Sequence, residues 1–474
     1  MMGLLCASAW SLNKNQSVEF SQDLNRNASL DADAAFHNPA GLAFLPVDGL
    51  YLGLGNQFIR QDRAVQEANP LLESQGLSKY KGEIRAPLFP TLHAAYKTGD
   101  LTLYAHGGPL GGGGEGTYDQ GIPKFDNMIL GFANGVAAQV KASVDTGAQR
   151  KLAAAGIAGV HVTSGGTSAL RYSRNLSFVG DEMTLGGTFG AAYKVLPNLS
   201  VSGAYRFSYA RNAYKGSAKV STLAVSTQGS QGAAAAGVTG GSIDTLLTAT
   251  TNHVLDSLWR DVTVDVVETG IAHGAVLGLD FKPNEVWNLG VRFEWNGEMQ
   301  LENSTKALDA PDALMPYLAP YANGAKSKIT EPMILAGGVS WKGIKDLTLE
   351  SSWTYGFAEN VDRDGKEKEY HNSLFAGFGA RYQVSERIEG SVGYAHDWGY
   401  RNDAARDEID PDIPFHFVAI GCNVQATPRL QVNLGAMTGF GKDVQGKSVA
   451  SGLAQTMSNQ HMSLALGLEW RPAI

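Results

Sequence analysis

The sequence predicts an all-β fold, a 14-stranded antiparallel transmembrane β-barrel with a helical segment at its N-terminus. The first observation is a series of fourteen segments in which apolar and polar side chains alternate, as they do in half-buried strands. The second is that short turns and long loops follow one another along the chain, as in barrels whose two ends face different compartments. The third is that individual segments carry one apolar and one polar face, which suits a wall between lipid and a polar lumen. Because the strand count is even, both termini are expected at the same end.

The composition excludes several other classes of protein. The chain has 474 residues, of which only 18% are charged, and its net charge of −8 gives no reason to expect a nucleic-acid-binding surface. It is too apolar and too aromatic for a disordered chain. Its two cysteines, Cys6 and Cys422, provide neither a disulfide framework nor a cysteine zinc site. No apolar run is long enough for a transmembrane helix.

The extreme N-terminus resembles the end of a secretory signal peptide. An apolar run over residues 3–7 leads into the small-residue triplet Ala7-Ser8-Ala9, but the positively charged region that normally precedes such a run is missing. We therefore expect a truncated signal peptide at residues 1–9.

Residues 25–45 are expected to form a helical turn followed by a bend. Ser29 is positioned to cap a turn over residues 30–36. Pro39 restricts the residue before it to extended geometry and ends the turn, and Gly41 permits the chain to change direction. The apolar side chains that follow need a wall to pack against.

Fourteen strands are predicted after this segment. In chain order they are Gly49–Val65, Lys79–Lys97, Leu101–Gly112, Leu185–Val195, Leu199–Gly216, Trp259–Phe281, Val286–Gln300, Ile329–Trp341, Leu347–Val361, Glu369–Val384, Ile388–Tyr400, Ile413–Ala426, Leu430–Gly441 and His461–Trp470. The even-numbered connections are tight turns rich in Pro, Gly, Asn or Asp, whereas most odd-numbered connections are long. In the seventh strand Trp287 and Trp295 share an apolar face, and Arg292 and Glu294 share the polar face. The two tryptophans are spaced to lie at the two interfaces of a membrane.

The third predicted strand contains a stretch that cannot continue it regularly. His106, Gly107, Gly108 and Pro109 are followed by a leucine and four more glycines. Pro109 cannot donate to a strand ladder, and the glycines permit a bulge or a bend. One interpretation is a kink in the strand, and the other is a glycine loop beyond a short strand.

Two long connections contain helical patterns, at residues 125–155 and 243–259. The apolar residues with helical spacing are Met128, Ile129, Phe132, Val136 and Val140 in the first, and Leu246, Leu247, Val254, Leu255 and Leu258 in the second. These helices either line an apolar groove or simply pack on each other over the mouth of the barrel.

Four of these features together resemble the FadL family of outer-membrane transporters for long-chain fatty acids and other hydrophobic molecules. They are the motif Asn38-Pro39-Ala40 followed by Gly41, the interrupted third strand, the strand count and the two helical loops. In that family the Asn-Pro-Ala motif lies in a hatch inside the barrel, so the resemblance implies a hatch at residues 10–46 and a barrel at residues 47–474. The family also kinks its third strand inward, which opens a gap in the wall through which an apolar ligand can leave sideways.

The resemblance implies passive transport of a long-chain fatty acid, or a similar hydrophobic molecule, across the outer membrane of a diderm bacterium. A fatty carboxylate needs a cationic partner, and alternation places Arg206, Arg292 and Arg381 on the lumen side of the wall. The alternative for each arginine is pairing with a lumenal acid such as Glu294 or Glu350, which would brace the barrel. The expected partners are the hydrophobic ligand, outer-membrane lipid and the barrel-assembly machinery, without nucleic acid, and the chain is expected to be a monomer.

No enzyme, cofactor or metal is predicted. Residues 441–448 match the spacing of a phosphate-binding loop, but the strand-loop-helix context that this motif requires is missing, because the last predicted strand follows. The ten histidines are scattered singly, and no catalytic constellation is found. The alternative function is a structural or adhesin-like outer-membrane barrel without a small-molecule cargo.

Overall fold

The computed structural model describes residues 14–74, 76–154, 166–228, 230, 240–362, 367–402, 406, 408, 411–448 and 451–472. These residues form a closed antiparallel barrel of fourteen strands, which confirms the predicted fold class. Each strand pairs with its neighbours in chain order, and the first strand closes the barrel by pairing with the last. The predicted signal peptide at residues 1–9 lies outside the described residues.

Eleven of the strands are continuous, and three consist of two segments each. In chain order they are β1 Gly49–Glu67, β2 Lys79–Thr98, β3 Leu101–Tyr118, β4 Gly166–Leu196, β5 Leu199–Gln228, β6 Val262–Phe281, β7 Trp287–Asn296 with Glu298–Asp309, β8 Lys326–Thr330 with Ile334–Ile344, β9 Leu347–Gly356, β10 Ser373–Ser385, β11 Ile388–Asp397, β12 Phe415–Thr427, β13 Leu430–Phe440 with Val444–Lys447, and β14 Ala454–Trp470. The tight turns lie at one end of the barrel, here called the turn end. The longer connections lie at the other end, here called the loop end.

The fourth and fifth strands are much longer than predicted. β4 has 31 residues and β5 has 30, and they pair with each other along almost their whole length. The sequence predicts loops at residues 113–184 and 217–258, and this is wrong for the parts that β3, β4 and β5 occupy. In those parts Tyr172, Phe178 and Val225 pack into an apolar cluster with the loop helices. Because that face of the strands is covered by helices instead of facing a polar lumen, the alternation that marks a strand is weaker there.

The outward faces of the strands carry a belt of exposed apolar side chains. On β7, Trp287, Val291 and Trp295 are exposed, whereas Arg292 and Glu294 between them are buried inside the barrel. This confirms the alternation predicted for the seventh strand. An apolar exterior around a polar interior is the surface that a barrel presents to lipid.

The N-terminal segment fills the lumen on the side of the turn end. Its helical elements are α1 (Phe20–Asp23), α2 (Ala34–His37) and a 3₁₀-helix (Pro39–Phe44), all of them packed against the inner wall. Proline suits the first position of the 3₁₀-helix, because its fixed φ is already helical and no N–H is needed there.

The predicted helical turn over residues 30–36 is wrong in extent. α2 begins only at Ala34, and Ser29 does not cap it. The Ser29 hydroxyl instead accepts a hydrogen bond from the Asp31 amide at 3.1 Å and donates one to an Asp33 carboxylate oxygen at 2.6 Å. A buried arginine holds that carboxylate in place, and local capping rules do not contain such a contact.

The remaining helices belong to the loops. They are α3 (Pro70–Glu73), α4 (Pro123–Ala154), α5 (Gly240–Leu258) and α6 (Met315–Leu318), with short 3₁₀-helices at Ala319–Tyr321, Ala358–Asn360 and Glu367–Glu369. α4 and α5 confirm the two predicted loop helices, and the predicted apolar stripe of α4 is buried. On α5 the predicted stripe is wrong for Leu246 and Leu258, which are 56% and 50% exposed. No helix in the described part of the chain is long and apolar enough to cross a membrane.

Candidate functional site

The described part of the predicted hatch, residues 14–46, is held to the wall by buried charges around Arg26. The Arg26 guanidinium contacts the Asp33 carboxylate at 2.8 Å within the hatch. Glu350 on β9 lies 3.7 Å from Arg26 and also pairs with Arg381 on β10 at 2.9 Å. Burial raises the pKa of Asp33, but the neighbouring Arg26 outweighs this effect and holds that pKa well below its ordinary value. Asp33 is therefore ionised, and ion pairs connect the hatch to β9 and β10.

The Asn38-Pro39-Ala40 motif fixes a second side of the hatch. The Asn38 side-chain amide donates to the Asp280 carboxylate on β6 and, at 3.0 Å, to the Ser29 carbonyl. The Ala40 carbonyl accepts a hydrogen bond from the Ser200 hydroxyl on β5 at 2.7 Å. Gly41 completes the bend, since a Cβ there would lie 2.7 Å from the Ser29 carbonyl oxygen. The motif thus connects the hatch backbone to two wall strands.

A band of wall glycines lets the hatch backbone approach the strands closely. A Cβ at Gly393 on β11 would lie 1.9 Å from the Asp23 carbonyl oxygen, and one at Gly338 on β8 would lie 2.7 Å from the Asn27 carbonyl carbon. Other members of this glycine band are Gly290, Gly379, Gly421 and Gly435. Because side chains at these positions would overlap the hatch, the wall is shaped to receive it.

The ladder between β2 and β3 is interrupted in the middle of the wall. Pairing holds from the turn end up to Leu92 and Gly107, and it resumes at Arg85 and Glu115. The interruption, residues 86–91 of β2 and 108–114 of β3, is here called the gap. β3 remains paired with β4 along the gap, with two register shifts.

Prolines and glycines explain why the ladder breaks there. Pro87 and Pro90 in β2 and Pro109 in β3 lack the N–H that a strand ladder needs. Gly112 and Gly114 have φ angles of 72° and 114°, a left-handed conformation in which other residues are strained. The sequence of the gap is therefore incompatible with a regular ladder on both of its sides.

One hatch side chain, Gln16, reaches the edge of the gap. Its amide nitrogen donates to the Pro109 carbonyl at 2.6 Å, and its amide oxygen lies 3.2 Å from His106 Nε2. The Nδ1 atom of His106 lies 3.3 Å from the Nδ1 atom of His93 on β2. Of the four predicted kink residues, the first two are still paired with β2, and the last two, Gly108 and Pro109, begin the gap.

A cavity of about 310 Å³ lies between the hatch and the loop end. Phe20 and Leu24 of the hatch form part of its floor. The apolar residues of its walls and roof are Ile59, Ile84, Tyr118, Phe178, Tyr214, Pro332, Ile334, Ala358, Phe375, Tyr400, Ile413, Phe415, Phe417 and Met437. Gly112 and Gly114 line it as well, so the cavity reaches the inner side of the gap. Its volume is at the lower end of the range for small-molecule sites.

Four polar side chains line the cavity where β1 meets β14. Gln61 and Arg63 of β1 lie directly opposite His461 and Asn459 of β14. The Arg63 guanidinium donates to the Gln61 amide oxygen at 3.0 Å. These four residues, here called the polar corner, form one cationic and hydrogen-bonding side of the cavity. The other polar residues of the lining are Lys14, Asn15, Glu182, Thr354, Ser373, Asp397 and Asp412.

The three arginines predicted as carboxylate partners lie outside the lining of this cavity. Arg206 and Arg292 both form ion pairs with Glu294 on β7, and Arg292 also donates to a hatch carbonyl. Arg381 pairs with Glu350. These contacts agree with the alternative in which each arginine pairs with a lumenal acid and stabilises the barrel.

Sequence analysis missed three residues that the geometry brings to the site. Arg63 faces the lumen by the same alternation that selected the other arginines, so its signal was present in β1. Gln16 and Lys14 precede the first strand and belong to no periodic pattern. Lys14 lines the cavity and pairs with Asp397 at 2.7 Å, a contact between residues 383 positions apart.

Comparison with known proteins gives matches among solved structures. No family model and no curated protein matches the chain. A FadL homologue from Pseudomonas aeruginosa matches with a TM-score of 0.63 at 13% identity, over 96% of this chain and 98% of the other. The toluene transporter TodX from Pseudomonas putida matches with a TM-score of 0.55 at 13% identity, over 93% and 94%. The monoaromatic hydrocarbon channel CymD matches with a TM-score of 0.54 at 13% identity, over 98% and 100%.

These matches cover nearly the whole of each chain, hatch and barrel together. They confirm the resemblance to the FadL family at the level of the fold. The chain is thus a closed 14-stranded barrel built like the FadL-type transporters and hydrocarbon channels.

Proposed function

We propose that the protein carries hydrophobic molecules across the outer membrane of a diderm bacterium, by passive diffusion and without a chemical step. The observation that supports this most directly is the continuity between the cavity and the inner side of the gap at Gly112 and Gly114. A sealed structural barrel needs neither a cavity above its hatch nor an interruption in its wall.

Burial of apolar surface drives entry into the cavity. The walls are largely aromatic and aliphatic, and transfer of each CH₂ from water into such surroundings is favourable by about 0.8 kcal/mol. A long-chain fatty acid, the cargo that the family resemblance implies, gains from this term along its whole chain. A monoaromatic hydrocarbon, the ligand class in the name of CymD, matches the aromatic walls equally well.

The polar corner is the candidate site for a ligand's head group. Arg63 lines the cavity, whereas the three predicted arginines are buried in ion pairs outside its lining. A carboxylate beside Arg63 would be bound by a charge-assisted hydrogen bond, which is stronger than a neutral one. Arg63 therefore replaces Arg206, Arg292 and Arg381 as the candidate partner of a carboxylate head group.

The gap is the candidate exit toward the membrane. Leu88, at the β2 side of the gap, is 75% exposed on the outer surface, so the outer rim of the opening is apolar. Seven residues of β3 lack a β2 partner, a length of roughly 20 Å along a strand. Movement of Gln16 away from Pro109 would free the inner edge of the gap and leave the other contacts of the hatch in place.

Uptake by cells that lack their own fatty-acid transporter tests this proposal. A T91C/G108C pair, with Cys6 and Cys422 replaced by serine, would tie β2 to β3, because a Cβ at Gly108 lies 3.4 Å from Thr91 Cγ2. The matched control is Y96C/L103C, whose residues face each other in the intact part of the same ladder. We expect oxidised T91C/G108C to lose uptake of radiolabelled oleate and toluene and to regain it with reductant. The control should transport in both states.

Two outcomes would contradict parts of the proposal. Equal uptake by both oxidised pairs, at equal surface amounts, would contradict lateral exit through the gap, but the transport function would stand. Failure of the folded native chain to take up either oleate or toluene would remove the transport function. The structural or adhesin-like barrel would then be the better account.

A further inference from the structure

The interruption of β8 turns one acidic side chain, Glu331, into the lumen. In the loop-end segment of β8, the side chain of Ile329 points into the barrel, and in the segment after the break the first inward side chain is that of Ile334. Glu331 lies two residues after Ile329, so alternation turns its side chain inward as well. Pro332 follows it and cannot donate to a ladder, which accounts for the break between the two segments.

Glu331 faces the inner side of the gap. A Cβ placed on Gly111, a residue within the gap, would lie 3.9 Å from a Glu331 carboxylate oxygen. The residue before it, Leu110, turns into the lumen and packs with Ile334 of β8 and Phe36 of the hatch. The kinked strand β3 thus approaches β8. Glu331 therefore lies beside Gly111, next to the point at Gly112 where the cavity reaches the gap.

The charges around Glu331 set its electrostatic role. No described residue donates a hydrogen bond to this carboxylate or forms an ion pair with it. Arg206 lines a small cavity together with Glu331, but Arg206 and Arg292 both pair with Glu294. Two arginines against one glutamate leave one excess positive charge, which Glu331 offsets. Without Glu331, this side of the lumen would attract carboxylates toward the gap.

We propose that Glu331 is a charge filter at the inner side of the gap, where it disfavours carboxylates and lets uncharged hydrophobic molecules pass. The filter rests on the proposed function, since it takes the gap to be the exit. Glu331 cancels the excess positive charge that would otherwise attract a carboxylate toward the gap, and this effect is stronger in the low effective dielectric of a protein interior than in water. An alcohol, an ester or a hydrocarbon carries no charge and does not depend on this balance. Arg63 in the polar corner acts in the same direction, because it retains an anion in the cavity.

The test compares oleate with oleyl alcohol, which share one chain and differ in charge. Initial uptake of each is measured at pH 8 in cells that lack their own transporter and display the full chain. The ratio of the two rates is then compared between variants, which cancels differences in metabolism. Glu331→Gln is expected to raise the oleate to oleyl alcohol ratio roughly three- to tenfold without lowering oleyl alcohol uptake. Glu331→Asp keeps the charge and should keep the ratio close to native.

The matched control is Glu298→Gln, which removes an exposed acid that pairs with Lys328 on the outer face of the neighbouring strand. Its ratio should equal that of the native chain. An unchanged ratio in folded Glu331→Gln, at equal surface amounts, would overturn the filter while transport itself stood. An equal rise for both molecules would also overturn it, because Glu331 would then restrict the gap by size. Uptake of neither molecule by the native chain would overturn the proposed function and the filter together.

Discussion

The hatch meets the barrel wall in two different ways. Toward β7–β13 its backbone lies against the glycine band, and Arg26 takes part in a cluster of buried charges that includes Glu350 of the wall. At the gap, the hatch contacts the edge of the opening through the neutral side-chain amide of Gln16 and through the packing of Phe36 on Leu110. One region combines charge with close backbone packing, and the other relies on neutral contacts.

This difference indicates which part of the hatch can move. Breaking a buried ion pair by removing one partner costs about 3–5 kcal/mol, whereas a neutral hydrogen bond contributes about 1 kcal/mol net. We therefore infer that most of the hatch stays in place during transport while the contact at Gln16 opens.

The largest effect is expected from Arg26→Leu. The substitution leaves the buried Asp33 without Arg26 while Glu350 keeps its pair with Arg381, so the free energy of unfolding should fall by about 3–5 kcal/mol. Urea unfolding of the purified protein in detergent measures this change, and vancomycin sensitivity of cells reports an unseated hatch. The control is Arg60→Leu, whose ion pair with Asp62 is exposed and should contribute little to stability. Equal small losses in both variants would contradict the importance of the buried cluster.

The next effect is expected from Gly393→Val in the glycine band. A Cβ at this position overlaps the Asp23 carbonyl oxygen at 1.9 Å, so the hatch must shift, at a cost of about 1–3 kcal/mol. Thermal unfolding measures the loss. Gly390→Val on the same strand is the control, because the nearest atom to its Cβ is a Val384 side-chain carbon at 3.9 Å. If both variants unfold at the same temperature, the band is not a receiving surface for the hatch.

Gln16→Ala should have a smaller effect on stability and a clear effect on transport. Loss of its hydrogen bonds to Pro109 and His106 should lower stability by about 1–2 kcal/mol and should increase the rate of oleyl alcohol uptake. Gln22→Ala is the matched control in the strongly held region, where Gln22 donates to Asn423 at 2.6 Å. It should cost similar stability without faster uptake. Faster uptake in both variants, or in neither, would remove the special role of Gln16.

The smallest effect concerns the polar corner. Arg63→Gln replaces a charge-assisted contact for an anionic head group with a neutral one, a difference of about 1 kcal/mol, so oleate should bind about fivefold more weakly. Binding of oleyl alcohol should be unchanged, and equilibrium dialysis of the purified protein measures both ligands. Arg211→Gln is the control, since Arg211 pairs with Asp181 on the exposed surface. Weaker binding of the alcohol would show that Arg63 acts through cavity shape instead of charge.

Most of the barrel could be predicted because its pattern is local. Each strand is recognised by alternating apolar and polar side chains, and the segment from Trp287 to Trp295 on β7 is a clear case. The loop-end halves of β4 and β5 escaped prediction because helices cover them, which removes the polar face that alternation requires. The break of β8 at residues 331–333 was not predicted either. A single proline within a long strand pattern does not show whether the strand is interrupted or which adjacent strand loses its pairing there.

The candidate site was predictable only in part. The glycines and Pro109 of β3 predicted one side of the gap. Pro87 and Pro90 of β2 carry the same signal for the other side, but the predicted kink was based on β3 alone. The contact between Gln16 and Pro109 joins residues 93 positions apart, and no periodicity encodes it. The pairing of the predicted arginines likewise depends on acids from other strands, which a one-dimensional pattern cannot assign.

Two disulfide-locked variants in one uptake assay test most directly whether the hatch stays in place while the gap opens. In A40C/G278C the Asn-Pro-Ala motif would be tied to β6, because a Cβ at Gly278 lies 3.4 Å from the Ala40 Cβ, close to the spacing in disulfides. In T91C/G108C the edge of the gap would be tied instead. We predict that oxidised A40C/G278C takes up oleyl alcohol at close to the native rate, and that oxidised T91C/G108C takes it up only after reduction. Loss of uptake in the first variant with retention in the second would contradict this account and would show that the whole hatch must move.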